Sequence, residues 1–120
     1  MQNTSCNTVQ AKSKAFALRI VRFVRYLQTV RKEFVLSNQI LRSGTSIGAN
    51  IRESKNAQSI ADFINKLSIA LKEADETAYW LELLFESDTI DDKMFNSLYD
   101  ENKELIALLT SIIKTTKNNH

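Results

Sequence analysis

Apolar residues recur along this chain at alternating steps of four and three positions, the spacing of one face of an amphipathic helix. The first series predicts a helix over about residues 11–35, carried by Phe16, Ile20, Phe23, Leu27, Val30 and Phe34. Ser37 is the predicted N-cap of a second helix that ends near residue 56. A third helix is predicted after Ser59, and a fourth after the acidic run at residues 88–92.

Four amphipathic helices with short connections predict an all-α protein, an antiparallel up-and-down four-helix bundle with short loops. The absence of proline and the presence of only two glycines in 120 residues agree with few turns and long helices. We expect a flexible polar leader over residues 1–10, the bundle over residues 11–113, and a frayed polar tail over residues 114–120. Without a long apolar run or signal-peptide features, a cytoplasmic protein with no membrane contact is expected.

Residue types that common catalytic and metal sites require are scarce. Cys6 is the only cysteine and His120 the only histidine, so neither a His/Cys metal cluster nor a histidine triad can be built. The Glu-x-x-His motif of di-iron bundles is absent as well. We therefore predict no enzymatic activity, no catalytic residue, no metal site and no cofactor.

Both glycines lie one helical turn apart in "RSGTSIGANIRES", residues 42–54. A phosphate-binding loop would need a GK[ST] sequence and a preceding strand, and the sequence offers neither. A close helix–helix contact explains the pair better, because it offsets the cost of about 1 kcal/mol that each glycine adds to a helix. The nearby polar residues Ser46 and Asn50 are open to two interpretations: bonds to their own backbone, or a specific interface or ligand network.

The net charge of +2 hides a strong asymmetry between the two halves of the chain. Residues 1–57 carry ten Lys/Arg and two Glu, whereas residues 58–113 carry four Lys and twelve Asp/Glu. Either the helices neutralise one another, or the basic half forms a face that attracts an anionic partner. The candidate nucleic-acid-binding residues are Arg19, Arg22, Arg25, Tyr26, Arg42, Arg52 and Lys55.

The third helix carries large apolar residues away from its main apolar seam. Such side chains on an outer face favour a protein partner. The candidate oligomer-interface residues are Ile69, Tyr79, Trp80 and Leu83. The alternative for the tryptophan is that it covers its own bundle.

The stretch "LRSGTSIGANIRES", followed by "DFINKLSIALKEADETAYWLELL", resembles the four-helix bundle family named after proteins encoded in intervening sequences of bacterial 23S rRNA genes. The family pattern R-[SA]-x-x-S-I-x-x-N-I-x-E is matched at residues 42–53, and its Leu-x-Ile-Ala-x-x-Glu run at residues 67–73. The helix-packing and family-motif residues are Arg42, Ser43, Gly44, Ser46, Gly48, Asn50 and Glu53.

This resemblance implies an up-and-down bundle that assembles as a ring-shaped homopentamer, without family-wide catalytic residues. A related branch, the accessory variability protein of diversity-generating retroelements, pairs with a reverse transcriptase and binds nucleic acid through a basic surface. We therefore predict a non-enzymatic, homo-oligomeric scaffold, a pentameric ring, that binds structured RNA or a nucleic-acid-processing protein. The alternative is a protein–protein scaffold whose charge asymmetry serves subunit assembly.

Overall fold

The computed structural model describes the backbone of residues 4–120 and the side chains of residues 8–120. Within that range the chain forms four α-helices: α1 (Thr4–Thr29), α2 (Val35–Ser54), α3 (Ile60–Glu86) and α4 (Asp92–Asn119). Each helix packs on the next, and α4 returns to α1, which closes a bundle of 47 × 21 × 19 Å. The predicted all-α four-helix bundle with short loops is confirmed.

The first helix differs at both ends from the predicted residues 11–35. It begins at Thr4, and Val9 is only 1% exposed, so the described part of the predicted leader belongs to the packed helix. It ends at Thr29, and the last two residues of the apolar series, Val30 and Phe34, are 64% and 53% exposed. Lys32 has a φ of 57°, a left-handed conformation that ends the helical path. Residues 1–3 lie outside the described range.

The last helix also extends further than predicted. The bundle was expected to end at residue 113, whereas α4 continues to Asn119. The N-cap predicted for α3 is confirmed: the Ser59 hydroxyl accepts the Asp62 amide at 3.0 Å. The acidic run at residues 88–92 supplies the N-cap of α4 through Asp91, whose carboxylate accepts the Met94 amide at 2.8 Å.

The N-cap predicted for α2 is wrong. Ser37 is the third residue of α2, and its side chain is buried in the bundle. The residue at the N-cap position is Phe34, whose side chain has no hydrogen-bond acceptor. The Glu33 carboxylate takes this role by accepting the amides of residues 35, 36 and 37 at 3.1, 2.9 and 2.7 Å. One side chain thereby satisfies three of the four amides that a helix start leaves without partners.

Both glycines of α2 lie where this helix meets α1. A Cβ atom added to Gly44 would lie 2.9 Å from Cγ1 of Ile20, which is fully buried. A Cβ atom added to Gly48 would lie 3.3 Å from the Ser13 hydroxyl and 3.4 Å from the Ser13 carbonyl oxygen. The absence of side chains at these positions allows the two helices to approach closely.

A buried asparagine joins α3 and α4 in the core. Asn102 is fully buried, and its amide nitrogen donates to the carbonyl oxygen of Ala74 at 2.9 Å. Its Oδ1 atom has no hydrogen-bond partner among the described residues. This polar contact interrupts the otherwise apolar packing between Leu98 and Leu105.

Candidate nucleic-acid interface

The candidate basic residues lie on more than one surface of the bundle. Arg22 and Arg25 are exposed on the outer side of α1, and Arg52 and Lys55 are exposed around the end of α2. Arg42 instead lies on the side of α2 that faces α3. The structure thus divides the predicted set into residues that face solvent and residues held by neighbouring helices.

Ion pairs between α1 and α4 hold part of the basic set. The Arg19 guanidinium bonds the Glu101 carboxylate and donates to the Ser97 hydroxyl at 2.9 Å. Lys12, two turns earlier in α1, bonds Glu104 at 3.1 Å. In this region the basic and acidic halves of the chain neutralise each other.

Arg42 is held in the same way by α3. Its guanidinium bonds both carboxylate oxygens of Glu73 at 3.2 Å and also bonds Glu76. The indole nitrogen of Trp80 donates to the same Glu76 at 3.1 Å. Arg42, the first residue of the family motif, therefore links α2 to α3, and the carboxylates of Glu73 and Glu76 neutralise its charge.

Four of the predicted cations remain without such partners. Within residues 8–120, no carboxylate forms a salt bridge with Arg22, Arg25, Arg52 or Lys55. Lys14, which the sequence analysis did not single out, is also exposed and lines a groove between α1 and α2 together with Arg52. Its spacing of eleven residues from Arg25, about three full helical turns, was the signal that it shares the outer side of α1.

Tyr26 lies beside the free arginines at the edge of a groove between α1 and α4. It is half-buried and packs against the core, and its ring borders the same groove as Arg22. A tyrosine in this position combines an aromatic surface with a nearby unpaired cation. This combination fits a ligand that has both a flat apolar part and a negative charge.

The polar residues of the motif mostly bond to their own helix. The Ser46 hydroxyl donates to the carbonyl oxygen of Arg42 at 2.6 Å, and the Asn50 amide donates to that of Ser46 at 2.9 Å. These are the local backbone bonds that serine and asparagine form within helices. Both side chains remain half-buried at the surface of α2.

Two other motif residues reach α3. The buried hydroxyl of Ser43 accepts a hydrogen bond from the Thr77 hydroxyl at 2.9 Å. The Glu53 carboxylate pairs with Lys66 at 3.0 Å. The motif thus supplies contacts within the bundle along most of its length.

The candidate oligomer residues differ in their exposure. Tyr79 is 53% exposed, whereas Ile69, Trp80 and Leu83 are half-buried. The tryptophan packs against its own core and forms an edge-to-face contact with Tyr79, with ring centroids 5.2 Å apart. Tyr79 is therefore the member of this set that offers the most surface to a partner.

An acidic groove of about 490 Å³ lies next to Tyr79, between α3 and α4. Its walls include Asp75, Glu82 and Tyr99, together with Lys103, whose ammonium group lies 5.5 Å from the centre of the Tyr99 ring. The Tyr99 hydroxyl donates to the Glu82 carboxylate at 2.8 Å, and this hydrogen bond, assisted by burial, raises the pKa of Tyr99 above its usual value. The two carboxylates of the groove outnumber its one ammonium group, whereas the outer side of α1 carries Arg22 and Arg25.

None of the four helices has a stretch that is long and apolar enough to cross a membrane. No group of three or more His, Cys, Asp or Glu side chains is placed to hold a metal ion in the part of the chain that the structure describes.

Comparison with known proteins relates the chain to a protein family and to solved structures. The family model of the 23S rRNA-intervening sequence protein matches residues 6–111. A crystal structure of a protein with unknown function from the S23 ribosomal protein family of Bacteroides thetaiotaomicron VPI-5482 is 57% identical in sequence, with a TM-score of 0.92. That match covers 92% of this chain and 99% of the other. A search of curated proteins found no match.

Proposed function

The chain belongs to the 23S rRNA-intervening sequence protein family, and from this premise we propose that it is a non-enzymatic pentameric ring whose α1–α2 face binds structured RNA. The observation that carries the proposal is a set of cations that form no salt bridge within residues 8–120, namely Arg22, Arg25, Arg52 and Lys55. Guanidinium groups form charge-assisted, often bidentate hydrogen bonds with phosphate oxygens.

The distribution of ion pairs favours an external anion for these cations. Glu101 of α4 pairs with Arg19, and Glu73 and Glu76 of α3 pair with Arg42. None of the salt bridges formed within residues 8–120 includes Arg22 or Arg25. Neighbouring like charges such as Arg22 and Arg25 repel each other in the free protein. Phosphate groups would relieve that repulsion and release counterions from the nucleic acid.

Assembly as a ring would strengthen this binding. Each subunit would repeat the basic face around one axis, so that a single RNA could contact several copies. Exposed Tyr79 and the acidic groove beside it offer a surface through which subunits could meet. A head-to-tail contact between unlike surfaces is the type of interface that closes into a ring.

The alternative function is a protein–protein scaffold without an RNA ligand. In that case Arg22 and Arg25 of one subunit would pair with Asp75 and Glu82 of the next, and the charge asymmetry would serve assembly alone. The observation that favours it is that the acidic groove of α3 and α4 is complementary in charge to the outer side of α1.

A binding titration with charge-matched variants tests the proposal. Fluorescence anisotropy would follow purified protein added to a labelled structured RNA at low salt. We expect Arg22→Gln with Arg25→Gln to weaken binding about tenfold or more, because two charge-assisted contacts of about 1 kcal/mol or more are lost. The control, Lys72→Gln with Lys114→Gln, removes the same charge from exposed positions of α3 and α4 and should have little effect.

The outcomes separate the two functions. Equal losses from both variant pairs would show that only net charge matters, and would contradict a defined RNA-binding face. If the wild-type protein does not bind RNA at low salt but self-associates in a salt-sensitive manner, the protein–protein scaffold is the correct account.

A further inference from the structure

The groove between α1 and α4 combines an apolar floor with a basic rim. Its volume is about 350 Å³, at the lower end of the range of about 300–1,000 Å³ for small-molecule sites. Its lining residues are Arg19, Arg22, Phe23, Tyr26, Met94 and Leu98. The groove is too small for a nucleic-acid helix, but it can admit a single flat ring system.

The two arginines at the rim differ in whether neighbouring side chains hold their guanidinium groups. Arg19 is held by Glu101 and Ser97 of α4, so its guanidinium forms a fixed part of the wall. Arg22 is exposed and forms no salt bridge within residues 8–120. The charge available to a ligand at this groove is therefore positive and lies on a long, adaptable side chain.

The floor of the groove is apolar, in contrast to its basic rim. Phe23 and Leu98 are buried beneath it, and Met94 and the ring of Tyr26 are half-buried at its sides. Unstacked bases bind to proteins by stacking on aromatic side chains, while neighbouring cations contact the backbone. An apolar floor beside a free guanidinium matches a nucleotide better than it matches a simple anion or an apolar peptide.

We infer that the α1–α4 groove binds one unpaired nucleobase of an RNA, stacked on Tyr26, with the adjoining phosphate on Arg22. The inference rests on the proposed RNA-binding function and makes it more specific. It names a bulged or looped nucleotide as the feature recognised, because bases within an A-form helix are already stacked and paired. The protein would then distinguish folded RNA with unpaired positions from continuous duplex.

Three hairpins that differ at one position test this inference. The first carries a single bulged adenosine, the second carries an abasic residue at the bulge, and the third lacks the bulge. We expect the wild-type protein to bind the first hairpin about tenfold more tightly than the other two, which is within the range of base–aromatic stacking. Equal binding to all three hairpins would overturn the inference.

Variants of the groove locate the effect. Tyr26→Leu removes the ring and should abolish the preference for the bulged adenosine, whereas Tyr26→Phe keeps the ring and should retain it. Met94→Glu places a carboxylate in the groove and should also abolish the preference, and a Glu in the first turn of α4 suits the helix dipole. A preference that survives in folded Tyr26→Leu and Met94→Glu proteins would contradict the inference.

The failure of this inference differs from the failure of the proposed function. Equal binding to the three hairpins, together with a loss in the Arg22→Gln and Arg25→Gln variant, would leave RNA binding intact and remove only the base site. Absence of binding to every hairpin would overturn both. Adenosine monophosphate binding more tightly than the bulged hairpin would assign the groove to a free nucleotide and overturn the RNA assignment.

Discussion

At the scale of single residues, Gly44 shows how little space separates α1 from α2. An added Cβ atom would lie 2.9 Å from Cγ1 and 3.0 Å from Cγ2 of Ile20. A β-branched side chain has few rotamers, and Ile20 is fully buried, so it has no free space into which to move. Gly48 is less confined, since its added Cβ atom would first meet the Ser13 hydroxyl at 3.3 Å.

We therefore predict that alanine is destabilising at Gly44 but not at Gly48. Gly44→Ala should lower the free energy of unfolding by about 1 kcal/mol, because overpacking of about 1–3 kcal/mol exceeds the helix-propensity gain of about 1 kcal/mol. Gly48→Ala should leave it unchanged or raise it slightly. Urea denaturation of both variants measures the difference.

Ile20→Ala provides the control for the Gly44 prediction. It removes both contacting carbons, so the double variant Gly44→Ala with Ile20→Ala should be less destabilised than the sum of the single changes. If Gly44→Ala is more stable than the wild type, the close contact does not constrain the bundle as described.

At the scale of helices, the start of α2 depends on one acidic side chain. Glu33 precedes the helix, and its carboxylate accepts hydrogen bonds from three backbone amides. The side chain of Phe34, at the N-cap position, forms no capping hydrogen bond. A negative group in this position also interacts favourably with the positive end of the helix dipole. The geometry of the α1–α2 connection therefore depends on this residue.

We predict that Glu33→Ala lowers the free energy of unfolding by about 1–2 kcal/mol, as expected for the loss of a helix cap. Glu53→Ala is the control, because Glu53 forms only an exposed pair with Lys66, which contributes at most about 1 kcal/mol. Chemical denaturation followed by circular dichroism measures both. Equal effects of the two changes would contradict the capping role of Glu33.

The heptad pattern predicted the number, order and type of the helices, and polar residues before α3 and α4 predicted a cap at Ser59 and another within residues 88–92, because these signals are local. It placed the end of α1 too late because Val30 and Phe34 continue the apolar spacing although the bundle leaves them exposed. The turn that ends the helix is built from the backbone, with Lys32 in a left-handed conformation. Such a turn has no distinctive signature in side-chain periodicity.

The candidate site, like the end of α1, could be predicted only in part, but the reason is different. The sequence identified the cations of α1 and α2, but it could not show which of them meet carboxylates of α3 and α4. The pair of Arg19 with Glu101 joins residues 82 positions apart, so it depends on how the helices pack. The distinction between held Arg19 and free Arg22 therefore required the structure.

At the scale of the whole molecule, opposite charges are paired between helices but remain separate on the outer surfaces. Arg22 and Arg25 face outwards from α1, while Asp75 and Glu82 line the groove of α3 and α4 beside exposed Tyr79. A molecule with two unlike faces can bind an anionic partner on one and meet another subunit on the other. The proposed ring uses both faces.

We predict that Tyr79→Asp weakens self-association, because it removes exposed aromatic surface and adds charge to an already acidic side. Sedimentation velocity over a range of protein concentrations would show a shift towards smaller species. Ser111→Asp, which adds the same charge at an exposed position of α4, should leave the distribution unchanged. Unchanged assembly of the Tyr79→Asp protein would place the subunit contact elsewhere.

The central claim is that the free arginines of α1 neutralise RNA phosphates, and the salt dependence of RNA affinity tests it most directly. The slope of log affinity against log salt should be steep for the wild type. In the Arg22→Gln and Arg25→Gln variant it should be smaller by about 0.7–0.9 for each lost phosphate contact. A slope that is the same in both proteins, or an affinity that does not change with salt, would contradict the claim.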